Sequence, residues 1–154
     1  MTSLVDLRIN MASAAAIAAH LRHCDDDFIP RLSDRVNIDE YSQKIAGRAM
    51  RFEAWSDGSL VGLVAAYFDA DGRSAYITTV SVDPTYRNRG VASRLLIQCV
   101  AHAQERGDSY VLLEVDRQNG PAMDLYKEMG FSVDDVNERT ISMRLDLEPV
   151  VRQP

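Results

Sequence analysis

Ser74-Ala75-Tyr76-Ile77-Thr78-Thr79-Val80-Ser81-Val82-Asp83-Pro84-Thr85-Tyr86-Arg87-Asn88-Arg89-Gly90-Val91-Ala92-Ser93 is the stretch that decides the fold. Its β-branched and aromatic residues up to Val82 predict a strand, Asp83-Pro84 a turn, and the residues after Gly90 the opening of a long helix. A strand that feeds through a glycine-containing turn into a helix presents unpaired backbone N–H groups and the positive end of a helix dipole. That combination is an anion site. Gly90 lets a bulky anion approach the backbone with no Cβ in the way. Arg87 and Arg89 stand at the mouth, and Ala92 and Ser93 keep the first helical turn narrow. Spacing excludes two common phosphate loops. There is no G-x-x-x-x-G-K-[ST] and no G-x-G-x-x-G.

Downstream, the helix carries Val91, Leu95, Leu96, Val100 and Ala103 on its expected buried side and ends at Arg106-Gly107. Tyr110-Val111-Leu112-Leu113-Glu114-Val115 is nearly all apolar, as a central strand covered on both faces would be. Strand, helix and strand therefore predict a right-handed crossover between parallel strands. A loop from Asp116 to Gly120 follows, then a helix with Pro121 in its first turn, running to Met129-Gly130. Phe131–Val136 and Thr140–Leu147 predict a closing hairpin, and Glu148–Pro154 a tail.

Upstream, Val5–Asn10 predicts a first strand, and Ser13 caps a helix through His23. Phe28–Val36 reads as loop. Asn37 with Glu40 three residues on is a capping-box pattern that starts a second helix. Arg51–Trp55 alternates as a strand, Asp57-Gly58 turns it, and Leu60–Tyr67 returns as its partner. The expected architecture is a mixed α/β sheet. It has antiparallel N-terminal strands, a parallel central pair, a C-terminal hairpin and helices on both faces. Residues 1–147 form one domain in this reading.

The chain has 154 residues, 46% hydrophobic and 26% charged, the composition of an ordinary globular domain. Its net charge of −6 argues against a nucleic-acid partner. The two cysteines, Cys24 and Cys99, are far apart and without matching histidine spacing, so neither a disulfide nor a metal site is expected. No signal peptide and no membrane-spanning run is read, and a cytoplasmic setting is expected.

The pattern [R/Q]-x-x-G-x-[G/A], met by Arg87, Gly90 and Ala92 after a strand, resembles the acyl-CoA pyrophosphate loop of the GNAT superfamily of N-acyltransferases. Asn119-Gly120-Pro121-Ala122-Met123-Asp124-Leu125-Tyr126-Lys127-Glu128-Met129-Gly130-Phe131 matches that superfamily's second signature, N-x-x-A-x-x-L-Y-x-x-x-G-F. The resemblance covers about Leu60 to Leu147. It implies a V-shaped cleft where the fourth and fifth strands splay, with acetyl-CoA as co-substrate and no metal. The pantetheine arm would pair with backbone near Val80, Ser81 and Val82. The pyrophosphate would lie on the loop Arg87, Asn88, Arg89, Gly90, Val91, Ala92 and Ser93, with Asn119 on the pantetheine side and Tyr126 facing the sulfur.

The implied reaction is direct attack of an amine on the thioester through a tetrahedral intermediate. Tyr126, with a phenol pKa near 10, suits the acid that protonates the leaving thiolate. Glu114, in a Leu-Glu-Val context similar to ribosomal-protein alanine N-acetyltransferases, is the first candidate for the base. A strand-end carboxylate paired with Arg117 or a loop arginine is the alternative. The three histidines, His20, His23 and His102, are read as surface or packing residues.

The loop Phe28–Val36 would roof the acceptor side. There Phe28, Arg31, Ser33 and Arg35 could read an aromatic, sugar or carboxylate-bearing acceptor, and Tyr41 and Tyr67 are further wall candidates. A small-molecule amine is the leading acceptor. A protein N-terminus, or a non-catalytic acyl-CoA-binding regulator, are the alternatives. Dimers are common in the superfamily, and the resemblance leaves a homodimer open.

Overall fold

The structure is a computed structural model that describes residues 5–149. The expected tail from Glu148 lies outside the described residues from position 150 on. In chain order the elements are β1 (Asp6–Ile9), α1 (Ala14–His23), α2 (Ile38–Arg48), β2 (Met50–Ser56), β3 (Ser59–Phe68), β4 (Ser74–Val82), α3 (Val91–Arg106), β5 (Tyr110–Asp116), α4 (Gly120–Glu128), β6 (Ser132–Val136) and β7 (Thr140–Asp146). The strands form one 7-stranded sheet in the order β1-β2-β3-β4-β5-β7-β6. Among the described residues only the β4–β5 pair is parallel. Side-chain caps fix three helix starts. Ser13, Asn37 and Asn119 accept from the backbone N–H of Ala16, Glu40 and Ala122. No helix among the described residues is long and apolar enough to cross a membrane.

Apolar layers lie on both faces of the sheet. Val61, Val64 and Ala66 of β3 pack with Leu95, Leu96 and Cys99 of α3. Leu60, Leu63 and Ala65 face the other way, onto Ile17 and Leu21 of α1 and Ile45 of α2. The alternation changes phase because Ala54 pairs with Gly62 whereas Trp55 pairs with Leu60, which leaves Val61 as an extra residue. A Cβ on Gly62 would stand 2.8 Å from Val91 Cγ1, so the missing side chain is what seats the first residue of α3 on β3. Along α3 the fully buried line is Val91, Leu95, Cys99 and Ala103, at i+4 spacing. Cys99 takes the place expected of Val100, which is half-buried.

A second bulge shapes the site. Ala65 pairs with Thr79 but Ala66 pairs with Ile77, so Thr78 is an extra residue in β4. The parallel pairing of β4 with β5 runs only from Ser74↔Tyr110 to Ile77↔Leu113. Beyond it β4 stays with β3 as far as Val82, and β5 stays with β7 as far as Asp116. Each of the two central strands therefore keeps one neighbour and exposes one bare edge to the gap between them.

The alternation of Arg51, Phe52, Glu53, Ala54 and Trp55 predicts one polar face, yet both faces of β2 are covered. Glu53 is fully buried. One carboxylate oxygen accepts from Met11 N (3.1 Å) and Trp55 Nε1 (2.9 Å), and the other from Ala12 N (3.0 Å). Arg51 Nε lies 3.5 Å from the same carboxylate. Its Nη atoms donate to the carbonyls of Ala12, Ala46 and Ala49. The pair ties the β1–α1 connection and the end of α2 to the sheet, because these turns carry backbone groups that would otherwise be buried unpaired.

Candidate active site

A cleft of about 670 Å³ opens where β4 and β5 part. One wall is bare strand. Asp83 N–H donates to Val61 C=O at 2.8 Å, toward β3. Two-residue alternation then turns the backbone amides of Val80 and Val82 into the cleft. The Ser81 hydroxyl donates to Nε2 of the buried His20 at 2.8 Å, and His20 Nδ1–H donates to Leu60 C=O at 3.1 Å. A carbonyl can only accept, and this assigns the tautomer. Burial lowers the His20 pKa to about 4, so the ring is neutral at working pH. Its contribution to stability is complete above about pH 6.5 and is lost as the pH falls from there towards 4. Read from the sequence as a surface or packing residue, His20 is buried, and its helical spacing with Ile17 and Leu21 is the local signal of that.

The loop after β4 leaves backbone amides open. Asp83 accepts from Thr85 N (2.9 Å) and so closes the turn. Asn88 and Gly90 both have left-handed backbone, with φ of 61° and 75°. Gly90 has open space where its Cβ would stand. It is also the N-cap of α3, and no side-chain cap occupies the first-turn amides. Those N–H groups face the cleft beside Val91, Ala92 and Ser93. Arg87 lines the cleft and pairs with Asp27 at 2.7 Å. Arg89, expected at the mouth, lies 5.3 Å over the Tyr86 ring, and it is not among the lining residues.

The opposite wall comes from α4. Asn119 Oδ1 caps the helix through Ala122 N at 3.2 Å, which leaves its amide N–H groups for the cleft. Tyr126 lines the cleft and is 7% exposed. Its ring tilts against Phe131, and among the described residues its hydroxyl has no hydrogen-bond partner. Burial pushes its pKa up to about 12.

Glu114 is the first residue of β5 beyond the last β4 pair. Val111, Leu113 and Val115 belong to the apolar layer of α3 and α4. Alternation therefore directs Glu114 to the other face, towards α1 and α2. Tyr126 and Glu114 meet the same gap from opposite faces of the sheet.

The segment between α1 and α2 contributes Phe28, Ile29 and Arg35 to the lining. Arg31 points elsewhere and pairs with Asp25 (3.5 Å) and Asp26 (3.0 Å). The Tyr41 hydroxyl bonds to Thr78, to its carbonyl at 3.0 Å and its Oγ1 at 2.7 Å. It thus clamps the bulge rather than lining the cleft. Tyr67 packs with the α1–α2 layer, with Lys44 Nζ 5.4 Å over its ring. Cys24 and Asp27 line the cleft without having been singled out. They lie just past the end of α1, and no local pattern pointed to them.

A model of the Acetyltransferase (GNAT) family matches residues 14–131. The chain is 37% identical over 57 residues to the mycothiol acetyltransferase of Thermobifida fusca, covering 37% of this chain and 18% of that protein. To the mycothiol acetyltransferase of Thermobispora bispora it is 36% identical over 86 residues, covering 53% of this chain and 29% of that protein. The chain thus spans less than a third of the length of these two curated relatives. The glucosamine 6-phosphate N-acetyltransferase of Trypanosoma brucei brucei is 27% identical over 157 residues, covering 96% of this chain and all of that protein. The crystal structure of the ribosomal-protein-S18-alanine N-acetyltransferase of Escherichia coli superposes with a TM-score of 0.76 at 19% identity, covering 98% of this chain and 99% of that one.

Proposed function

Because this chain belongs to the acetyltransferase (GNAT) family, we propose that it moves an acetyl group from acetyl-CoA to the primary amine of a small molecule. The observation that carries this reading is the Thr78 bulge. It ends the β4–β5 pairing and gathers a bare strand edge, an open helix N-terminus, a phenol and a carboxylate around one cleft. Acetyl-CoA supplies an acetyl thioester. The cleft-facing amides of Val80 and Val82 suit an extended arm laid along β4 like an added strand. Arg87 and the uncapped first turn of α3 suit its diphosphate, and the Asn119 amide, which lines the same cleft, suits the pantetheine side.

Glu114 takes a proton from the acceptor ammonium, the neutral nitrogen bonds to the acetyl carbon to give a tetrahedral intermediate, and the carbon–sulfur bond breaks as that intermediate collapses, the nitrogen's second proton passing through solvent to replace the one Tyr126 gives up. A cleft-facing amide of β4 donates to the carbonyl oxygen as it gains charge. Tyr126 donates its proton towards the leaving sulfur. The full-length match to a glucosamine 6-phosphate N-acetyltransferase and the partial matches to mycothiol acetyltransferases support a small acceptor over a protein.

Thiol release from acetyl-CoA across amino acids, amino sugars, polyamines and short peptides tests the proposal. Release with small amines and not with peptides is the expected outcome. Release with peptide N-termini alone would move the acceptor to proteins. In Glu114→Gln, kcat at neutral pH is expected to fall roughly a hundredfold, and to recover as the pH approaches the pKa of the acceptor amine. An unchanged pH profile would remove Glu114 from the base role.

A further inference from the structure

Among the described residues two basic side chains line the cleft, and their surroundings differ. Arg87 belongs to the loop after β4 and is paired with Asp27. Arg35 forms no ion pair and no side-chain hydrogen bond among the described residues, yet it too lines the cleft. It is not carried on a loose loop. It closes a 3-10 turn, Leu32–Asp34, with its N–H donating to Leu32 C=O at 2.9 Å. Leu32 is buried in the α1–α2 layer, and the Ser33 hydroxyl donates to the Asp25 carboxylate at 2.6 Å.

Arg35 stands within electrostatic reach of the residues around Thr78. Its charge is felt by Tyr41, whose hydroxyl is bonded to the Thr78 bulge. It is felt also by Tyr76, where burial raises the phenol pKa, Glu114 adds to the rise and Arg35 opposes it. Arg35, Thr78 and Glu114 line the same cleft. The phosphate loop begins beyond Val82, roughly 13 Å further along β4 at the usual strand rise. A guanidinium with no partner among the described residues, set in a cleft by an anchored turn, is matched to a planar or tetrahedral oxyanion.

Resting on the acetyl-transfer reading above, we propose that Arg35 selects the acceptor: the amine acetylated here carries a carboxylate or a phosphate ester, which Arg35 holds while Glu114 faces the nitrogen. The acetylated class is thus anionic amines, not polyamines or neutral amines. The acidic charge of the chain does not oppose this, because recognition is local to one cation in a cleft.

The test measures kcat/KM for thiol release on matched pairs, amino acids against their carboxamides and phosphorylated amino sugars against the unphosphorylated sugars. Wild type, Arg35→Ala and Arg35→Lys are compared. Wild type is expected to favour the anionic member of at least one series by about ten- to a hundredfold, and Arg35→Ala to lose most of that ratio. Arg35→Lys should keep part of it, because the charge remains and the planar fork does not. The series that shows the preference tells carboxylate from phosphate. Equal rates within every wild-type pair would overturn the proposal, as would an Arg35→Ala ratio equal to wild type. A rise in the acetyl-CoA KM of Arg35→Ala matching its lost activity would place Arg35 on the cofactor and overturn it too. Thiol release with neutral amines alone sinks this proposal and leaves acetyl transfer standing. No release with any amine sinks both.

Discussion

Tyr126→Phe is expected to lower kcat by about a hundredfold or more while the thermal shift produced by acetyl-CoA stays at the wild-type value. The substitution removes one oxygen from a side chain that is 7% exposed and whose hydroxyl bonds to nothing else among the described residues. The ring keeps its packing against Phe131, so the fold loses little. What is lost is a phenol hydroxyl in the cleft, the proton donor of the proposed reaction. Burial holds the phenol at about 12, against an ordinary 10, so it stays protonated through neutral and moderately alkaline pH. An alkaline fall in rate near pH 10 then belongs to another group. The same shift makes a stability statement. The contribution is complete below about pH 10 and is lost as the pH rises through 12. Stopped-flow thiol release in the two proteins separates the chemical step from binding. Equal single-turnover rates would remove Tyr126 from the chemistry and leave it as packing.

The second large effect is on stability. Glu53→Ala should cost roughly 3–5 kcal/mol, enough to lower the melting temperature by about 10 °C in a chain of this size. The carboxylate accepts from two backbone N–H groups and an indole and sits beside the Arg51 guanidinium, with no exposure to water. Removing it leaves three buried donors without their acceptor and the Arg51 cation without its counter-charge, each costly. Glu53→Gln keeps an acceptor but loses the charge, so it should fall between the two. Urea unfolding monitored by Trp55 fluorescence reads both variants. A loss below 1 kcal/mol for Glu53→Ala would mean that the Arg51–Glu53 unit is not what holds the β1–α1 connection to the sheet.

The elements themselves were largely legible, and for local reasons. Ser13, Asn37 and Asn119 mark helix starts because a short oxygen-bearing side chain satisfies a first-turn amide wherever the helix is placed. Asn119 also illustrates a limit, since the residue the family pattern places beside the cofactor is at the same time a helix cap. The strand–turn–helix from Ser74 and the α4 pattern around Tyr126 were readable because each is one continuous stretch. Glu53 was not readable. Alternation assigns a side chain to a face of its strand, but whether water or a helix covers that face depends on elements distant in sequence. Arg31 and Arg35 show the same limit within one short loop. Both are arginines beside acidic residues, and only the folded chain ties one to Asp25 and Asp26 and leaves the other in the cleft.

By itself the sequence determined the order of the elements, the strand–turn–helix form of the stretch through the Arg87–Ser93 loop, and the family whose patterns those residues carry. These rest on backbone conformation and side-chain type over a few consecutive positions. The tertiary structure alone decided that Thr78 is the extra residue that stops β4 and β5 from pairing, and that Tyr41 clamps it. It also decided that His20 holds Ser81, and that Tyr126, Glu114 and Arg35 converge on one gap from three separate elements. A bulge is a count of residues against a partner strand, and a site is a distance between chain segments. Neither quantity exists until the sheet has been assembled.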